Sequence, residues 1–190
     1  MQRVQPLRDT HPQFSTFKTP SYHEFKLENW KLAGDGSGKV IRPHPELYLA
    51  LGIPVLAWLY QRLAGGLQYV GLAVGLWLLG QSVFLNVSHE SLVVYPPHGV
   101  QVETHRGFRN CIFSSSRTFI PFTVLQDIVV NEGLYGWNVR YYIVALTRPR
   151  NSDTVLKVVF PNLLPHFPIL KIVYNEIQMY LPQNKTESAQ

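Results

Sequence analysis

The chain has 190 residues, 46% of them hydrophobic, and 17 Lys and Arg against 12 Asp and Glu give a net charge of +5. At this length one globular domain with a small appendage is expected. The basic residues are scattered with no run of four, which argues against a nucleic-acid-binding stripe, and a single Cys111 excludes an internal disulfide framework or a four-cysteine zinc site.

The first 45 residues contain no apolar run of the kind a secretory signal needs. Residues 1–20 are polar and carry Pro6, Pro12 and Pro20, so a poorly ordered arm is expected there. Tyr22 to Leu27 alternates apolar and polar residues and reads as one strand. Gly34-Asp-Gly-Ser-Gly reads as a flexible linker; it lacks the Lys-Ser/Thr ending of a phosphate-binding loop.

Two apolar segments follow, Leu47 to Leu63 and Leu67 to Val87, joined through Ala64-Gly65-Gly66. The second carries no charge, and neither shows a polar face at helical spacing. A helix that is apolar all round is either deeply buried or lipid-embedded. The expectation is therefore a two-helix membrane hairpin, spanning or re-entrant from the cytosolic face, with Pro54 kinking the first helix and the Gly71 and Gly75 pair allowing close helix packing. Lys26, Lys31, Lys39 and Arg42 precede the hairpin and only Arg62 lies on its turn side, which puts both termini in the cytosol.

From Glu90 onward the hydrophobic period becomes two. Strands are expected around Leu92 to Val94, Val100 to Val102, Cys111 to Phe113, Arg117 to Phe122, Leu125 to Asn131, Arg140 to Leu146 and Val155 to Phe160. Leu163, Phe167, Leu170, Tyr174, Ile177 and Leu181 then fall at helical spacing, with Asn162 as the expected N-cap and Pro182 as the stop. The whole reads as an α+β membrane protein: a two-helix membrane hairpin, then an antiparallel barrel or sandwich of about seven strands resembling a pleckstrin-homology (PH) barrel, with a C-terminal helix. The expected divisions are a cytosolic arm and linker over 1–45, the membrane hairpin over 46–88, the PH-like cytosolic domain over 89–182 and a disordered tail over 183–190.

Catalytic patterns are missing. There is no Asp-x-Asp, no Glu pair eight apart, no dinucleotide-binding glycine fingerprint, no HExxH and no nucleophile elbow. Asp127 and Glu132 are five apart in a β-prone run and should face opposite ways, which argues against an acid–base pair. His98 and His105 read as solvated turn residues. No metal and no cofactor is expected. What remains is a surface: the segment from Asn131 through Glu132, Tyr135 and Trp137, flanked by Tyr141 and Tyr142, is the candidate partner interface, because aromatics in a loop act as interface anchors. A hairpin turn whose aromatics cover a core edge is the competing reading.

The opening Glu90-Ser-Leu-Val-Val-Tyr with Gly99-Val-Gln-Val, the Phe119-Ile-Pro turn, the Asp127-Ile-Val-Val-Asn-Glu run and the Tyr141-Tyr142 pair together resemble the PIG-H family over roughly 46 to 181. PIG-H is a component of the complex that makes N-acetylglucosaminyl-phosphatidylinositol, the first step of GPI-anchor synthesis. The resemblance implies a non-catalytic subunit in the endoplasmic-reticulum membrane that tethers the catalytic subunit PIG-A to the cytosolic face, alongside PIG-C, PIG-P and PIG-Q, with the lipid bilayer as a further partner and no nucleic acid. The loops Arg106 to Ser116 and Arg148 to Asp153 depart from the family pattern. The alternative is a free-standing, membrane-anchored PH-like lipid-binding module, with Arg106 and Arg109 as its only headgroup candidates.

Overall fold

The structure is a computed structural model that describes residues 2–32, 40–41, 45–62, 67–84, 86–108, 111–149 and 153–181. The Gly34 linker, Arg109, most of the loop after Arg148 and the tail over 183–190 lie outside the described residues. The chain divides into two compact units: the first comprises Met1–Glu28, His89–Thr104 and Ser116–Gln190, the second Asn29–Ser88 and His105–Ser115.

Strands β1 (Gln2–Val4) and β2 (Phe14–Lys18) occupy the region where a poorly ordered arm was expected, and β3 (His23–Glu28) falls where the alternation from Tyr22 to Leu27 places a strand. β3 alternates buried and half-buried residues along its length, as its sequence pattern requires. It pairs antiparallel with β6 (Val87–Tyr95), placing Leu27 opposite Glu90, Phe25 opposite Leu92 and His23 opposite Val94. With β7 (Gly99–Phe108) and β8 (Cys111–Pro121) these form a six-stranded sheet in the order β1-β2-β3-β6-β7-β8. β9 (Leu125–Tyr135), β10 (Asn138–Thr147) and β11 (Val155–Val158) make a second sheet in the order β11-β10-β9. β4 (Lys31–Leu32) and β5 (Val40–Ile41) are a short separate pair.

Both large sheets are open, so among the described residues the expected PH-like barrel is not present. The reason lies in the N-terminal strands. β6 has β3 on one side and β7 on the other, so the edge at which such a barrel would close is already filled.

Helix α3 (Phe167–Gln178) packs against β9 and β10 through Ile169, Leu170, Val173 and Ile177. These join Phe14, Phe25, Leu92, Val94, Ile128, Ile143 and Phe160 in one buried cluster inside the first unit. The helix starts later than Asn162: His166 is the N-cap residue and Pro168 lies in the first turn.

Asn162 has a different task. Glu90 is fully buried on the core face of β6. Its Oε1 accepts hydrogen bonds from Asn162 Nδ2 at 2.7 Å and Thr104 Oγ1 at 3.1 Å, and its Oε2 accepts one from the Leu163 backbone N–H at 3.0 Å. The Asn162 N–H lies 3.3 Å from both oxygens. A carboxylate on a core face is costly unless it is fully partnered, and here one side chain gathers donors from residues 72 and 73 positions away. Leu164, next in the chain, has a φ of 40°, a left-handed conformation that a leucine adopts only where its surroundings hold it.

Helices α1 (Pro45–Arg62) and α2 (Leu67–Phe84) pack on each other in the second unit. Gly75 faces Leu56, and a Cβ there would run into that side chain; Gly71 lies one turn earlier on the same helix. The expected membrane hairpin is not upheld: among the described residues no helix is long and apolar enough to cross a membrane. Val87, counted in the second apolar segment, belongs to β6 instead. The membrane topology with both termini cytosolic rested on two spans, and no described helix supplies one.

Glu90→Ala removes the acceptor of four donors, and lost bonds to a carboxylate cost about 1.5–3 kcal/mol each before any rehydration. The expected result is a urea-unfolding free energy lower by at least about 2 kcal/mol, with Glu90→Gln falling between the variant and the parent. An unchanged midpoint for Glu90→Ala would show that the buried carboxylate does not hold this segment.

Candidate functional site

β9 and β10 form a long hairpin whose register pairs Asn131 with Tyr142, Glu132 with Tyr141, Gly133 with Arg140, Leu134 with Val139 and Tyr135 with Asn138. Gly136 and Trp137 make the two-residue turn, and Gly136 has a φ of 61°, which glycine adopts without penalty. The tight turn and the strict alternation decide where every side chain points.

At the base of the hairpin, Ile143, Ala145 and Ile128 face the core and are buried. Further out the same face continues, through Tyr141 and Val139 on β10 and Glu132 and Leu134 on β9, beyond the point where α3 covers it. Leu134 is 84% exposed and Trp137 is fully exposed. Val139 and Tyr141 are also exposed, and the Tyr141 ring packs on Phe167 at the start of α3, with centroids 5.1 Å apart. Leu134, Val139, Tyr141, Phe167 and Trp137 thus form an apolar strip at the hairpin's outer end.

Tyr142 is on the opposite face. Its ring lies over Gly133, where a Cβ would touch Cε1, and its hydroxyl accepts a hydrogen bond from Asn131 Nδ2 at 3.4 Å. Asn131 Oδ1 accepts from the Glu132 N–H at 2.9 Å. The Tyr135 backbone closes the hairpin, and its side chain lies outside the described residues. The structure therefore separates the six expected interface residues. Tyr141 and Trp137 belong to the outer strip and Glu132 pairs with Tyr141 beside it, while Asn131 and Tyr142 are on the opposite face. Full exposure of Trp137 removes the reading in which it covers a core edge. Leu134, Val139 and Phe167 were missed from sequence, although period two carried from Val130 and Ile143 puts Leu134 and Val139 on that same face.

The register places Asp127 and Glu132 on opposite faces, as their spacing requires. His98 is exposed in its turn, but His105 is buried rather than solvated. Among the described residues no group of three or more His, Cys, Asp or Glu could hold a metal ion. One titratable cluster does occur in the first unit. His23 is buried, with Nε2 3.3 Å from Glu176 Oε2 and Nδ1 3.3 Å from the Tyr180 hydroxyl. Burial, assisted by the Lys18 charge, pushes the His23 pKa from its ordinary 6.5 down to about 4. Burial pushes the Glu176 carboxyl upward, against the opposing effect of Lys18.

Residues 91–161 match the family model described as PIG-H, the GPI-GlcNAc transferase complex PIG-H component. The chain is 37% identical over 103 residues to phosphatidylinositol N-acetylglucosaminyltransferase subunit gpi15 of Schizosaccharomyces pombe, covering 54% of this chain and 60% of that protein. It is 30% identical over 117 residues to the H component of the same transferase from Homo sapiens, covering 60% of each. To the Saccharomyces cerevisiae subunit GPI15 it is 28% identical over 120 residues, covering 59% of this chain and 51% of that one. The chain therefore spans between half and three-fifths of the length of these relatives. The hairpin lies wholly within the matched region.

The buried imidazole makes stability depend on pH. An unfolded histidine takes up its proton near pH 6.5, whereas folded His23 does so only near 4, so its contribution falls as pH drops through that window. Glu176 acts in the opposite direction, because a raised carboxyl favours the folded state on acidification. His23→Gln should flatten the fall in melting temperature between about pH 6.5 and pH 4, measured by scanning fluorimetry. An identical pH profile in the variant would remove His23 as its source.

Proposed function

We propose that the chain, whose residues 91–161 match the PIG-H family model, is a non-catalytic subunit of a GPI-GlcNAc transferase complex. The observation that carries the reading is the apolar strip at the outer end of the β9–β10 hairpin, inside the matched region. Leu134, Val139 and Trp137 are exposed, and Tyr141 is partly so beside Phe167. Such a strip suits a protein partner, because exposed aromatic and aliphatic anchors on a rigid hairpin lose little entropy on docking.

The finer reading is a tether. On the family resemblance, bond-making belongs to PIG-A, and PIG-C, PIG-P and PIG-Q are further partners. The relatives' names specify transfer of N-acetylglucosamine to phosphatidylinositol, and that acceptor is a bilayer lipid. A subunit that holds the transferase in register with its lipid acceptor contributes proximity and orientation. We assign that hold to protein contact through the hairpin, since no described helix is long and apolar enough to cross a membrane.

Trp137→Ala and Leu134→Glu should each leave the melting temperature unchanged, because both side chains are almost wholly in water. Each should weaken co-purification of the complex from detergent extracts. Loss of a hot-spot anchor costs about 2 kcal/mol, roughly a thirtyfold loss of affinity, and transferase activity in the extract should fall with it. Normal co-purification by both folded variants would refute the hairpin as the docking surface.

A further inference from the structure

A cavity of about 350 Å³ opens in the first unit between β1, β2, β3 and the C-terminal end of α3. The sheet register builds it: Val4 sits opposite Thr16, and Lys18 opposite His23. Lys18, His23, Glu176 and Tyr180 are among its polar lining residues, and Pro6 and Met179 supply apolar walls. The size falls within the range of about 300–1,000 Å³ found for small-ligand sites, as does the mix of apolar wall and few convergent polar groups.

The polar set is mixed. Lys18 only donates hydrogen bonds, the Glu176 carboxylate accepts them, and the Tyr180 hydroxyl does both. His23 touches both Glu176 and Tyr180 at 3.3 Å and so fixes their positions rather than facing a ligand freely. A simple anion would meet Glu176, and a simple cation would meet Lys18. A ring bearing several hydroxyls satisfies both, because each hydroxyl donates and accepts. Its C–H edges would lie on Pro6 and Met179. Lys18, exposed at the mouth, is placed for a phosphate attached to that ring.

We infer that this cavity binds the phosphorylated polyol ring of a substrate, with Lys18 on the phosphate and Glu176 and Tyr180 on ring hydroxyls. The inference rests on the proposed complex membership for its two sources: the inositol phosphate headgroup of the lipid acceptor, or the sugar phosphate of a nucleotide-sugar donor.

The test uses the purified full chain, titrated by protein-observed NMR with glycerophosphoinositol, UDP-N-acetylglucosamine and inorganic phosphate. Binding near a Kd of about 1 mM is expected for one of the two ring ligands, with shifts centred on Lys18, Glu176 and Tyr180. Lys18→Ala and Glu176→Gln should each weaken it by about tenfold, while melting curves show both variants folded. Preference for glycerophosphoinositol assigns the site to the lipid headgroup, and preference for the nucleotide sugar assigns it to the donor. Equal binding of inorganic phosphate, binding untouched by both substitutions, or no binding of either ring would overturn the inference. Complex assembly is read separately by co-purification: intact assembly with no ligand binding removes this site alone, and ligand binding without assembly removes the subunit reading alone.

Discussion

The fold of the first unit depends on one buried carboxylate. Glu90 points from the central strand β6 into the core and collects the Asn162 and Leu163 backbone amides, the Asn162 side chain and the Thr104 hydroxyl. All but the Thr104 hydroxyl lie in the segment that leads from β11 to α3. Holding that segment places α3 against the second sheet, where Ile169, Leu170, Val173 and Ile177 complete the core. It also accounts for the left-handed Leu164, a local cost that the surrounding bonds over-determine. Buried polar groups act strongly in a low-dielectric interior, for stability when satisfied and against it when not.

The candidate interface follows from a mismatch of lengths. α3 has 12 residues and covers the base of a hairpin whose strands have 11 and 10. The core-facing side of the hairpin continues past the helix, so residues patterned for burial emerge into water. Alternation keeps them on one face, and the glycine-led turn sets Trp137 at the tip. The position and composition of the strip are therefore consequences of strand register, with no special sequence motif required.

The two apolar helices show the limit of composition as a guide. Their residues suit lipid or a deep core, and their sequences contain no polar face. Composition does not fix length, and the helices are described over 18 residues each, Pro45–Arg62 and Leu67–Phe84. Gly75 against Leu56 shows what the small residues do in the folded chain: they let the helices approach. Leu51, Ile53, Trp58, Val70, Leu76 and Trp77 remain exposed on their outer surfaces.

Much was legible from sequence because it depends on local periodicity. The change from helical pattern to period two near Glu90, the strand from Tyr22 and the amphipathic α3 all follow from neighbours within a few residues. The opposed faces of Asp127 and Glu132 follow from period two alone. What depended on long-range pairing was not legible. Nothing near Phe14 announces that β1 and β2 extend the sheet beside β3, or that β3 takes the edge of β6 and keeps the sheets open. Nothing near Asn162 announces that its partner is a glutamate 72 residues earlier. The meeting of Lys18 and His23 with Glu176 and Tyr180 likewise exists only after the two ends of the first unit are brought together. Local pattern is set by the backbone's own geometry, whereas partners across the fold are chosen by which buried groups must be satisfied, and that choice is made only in the packed chain.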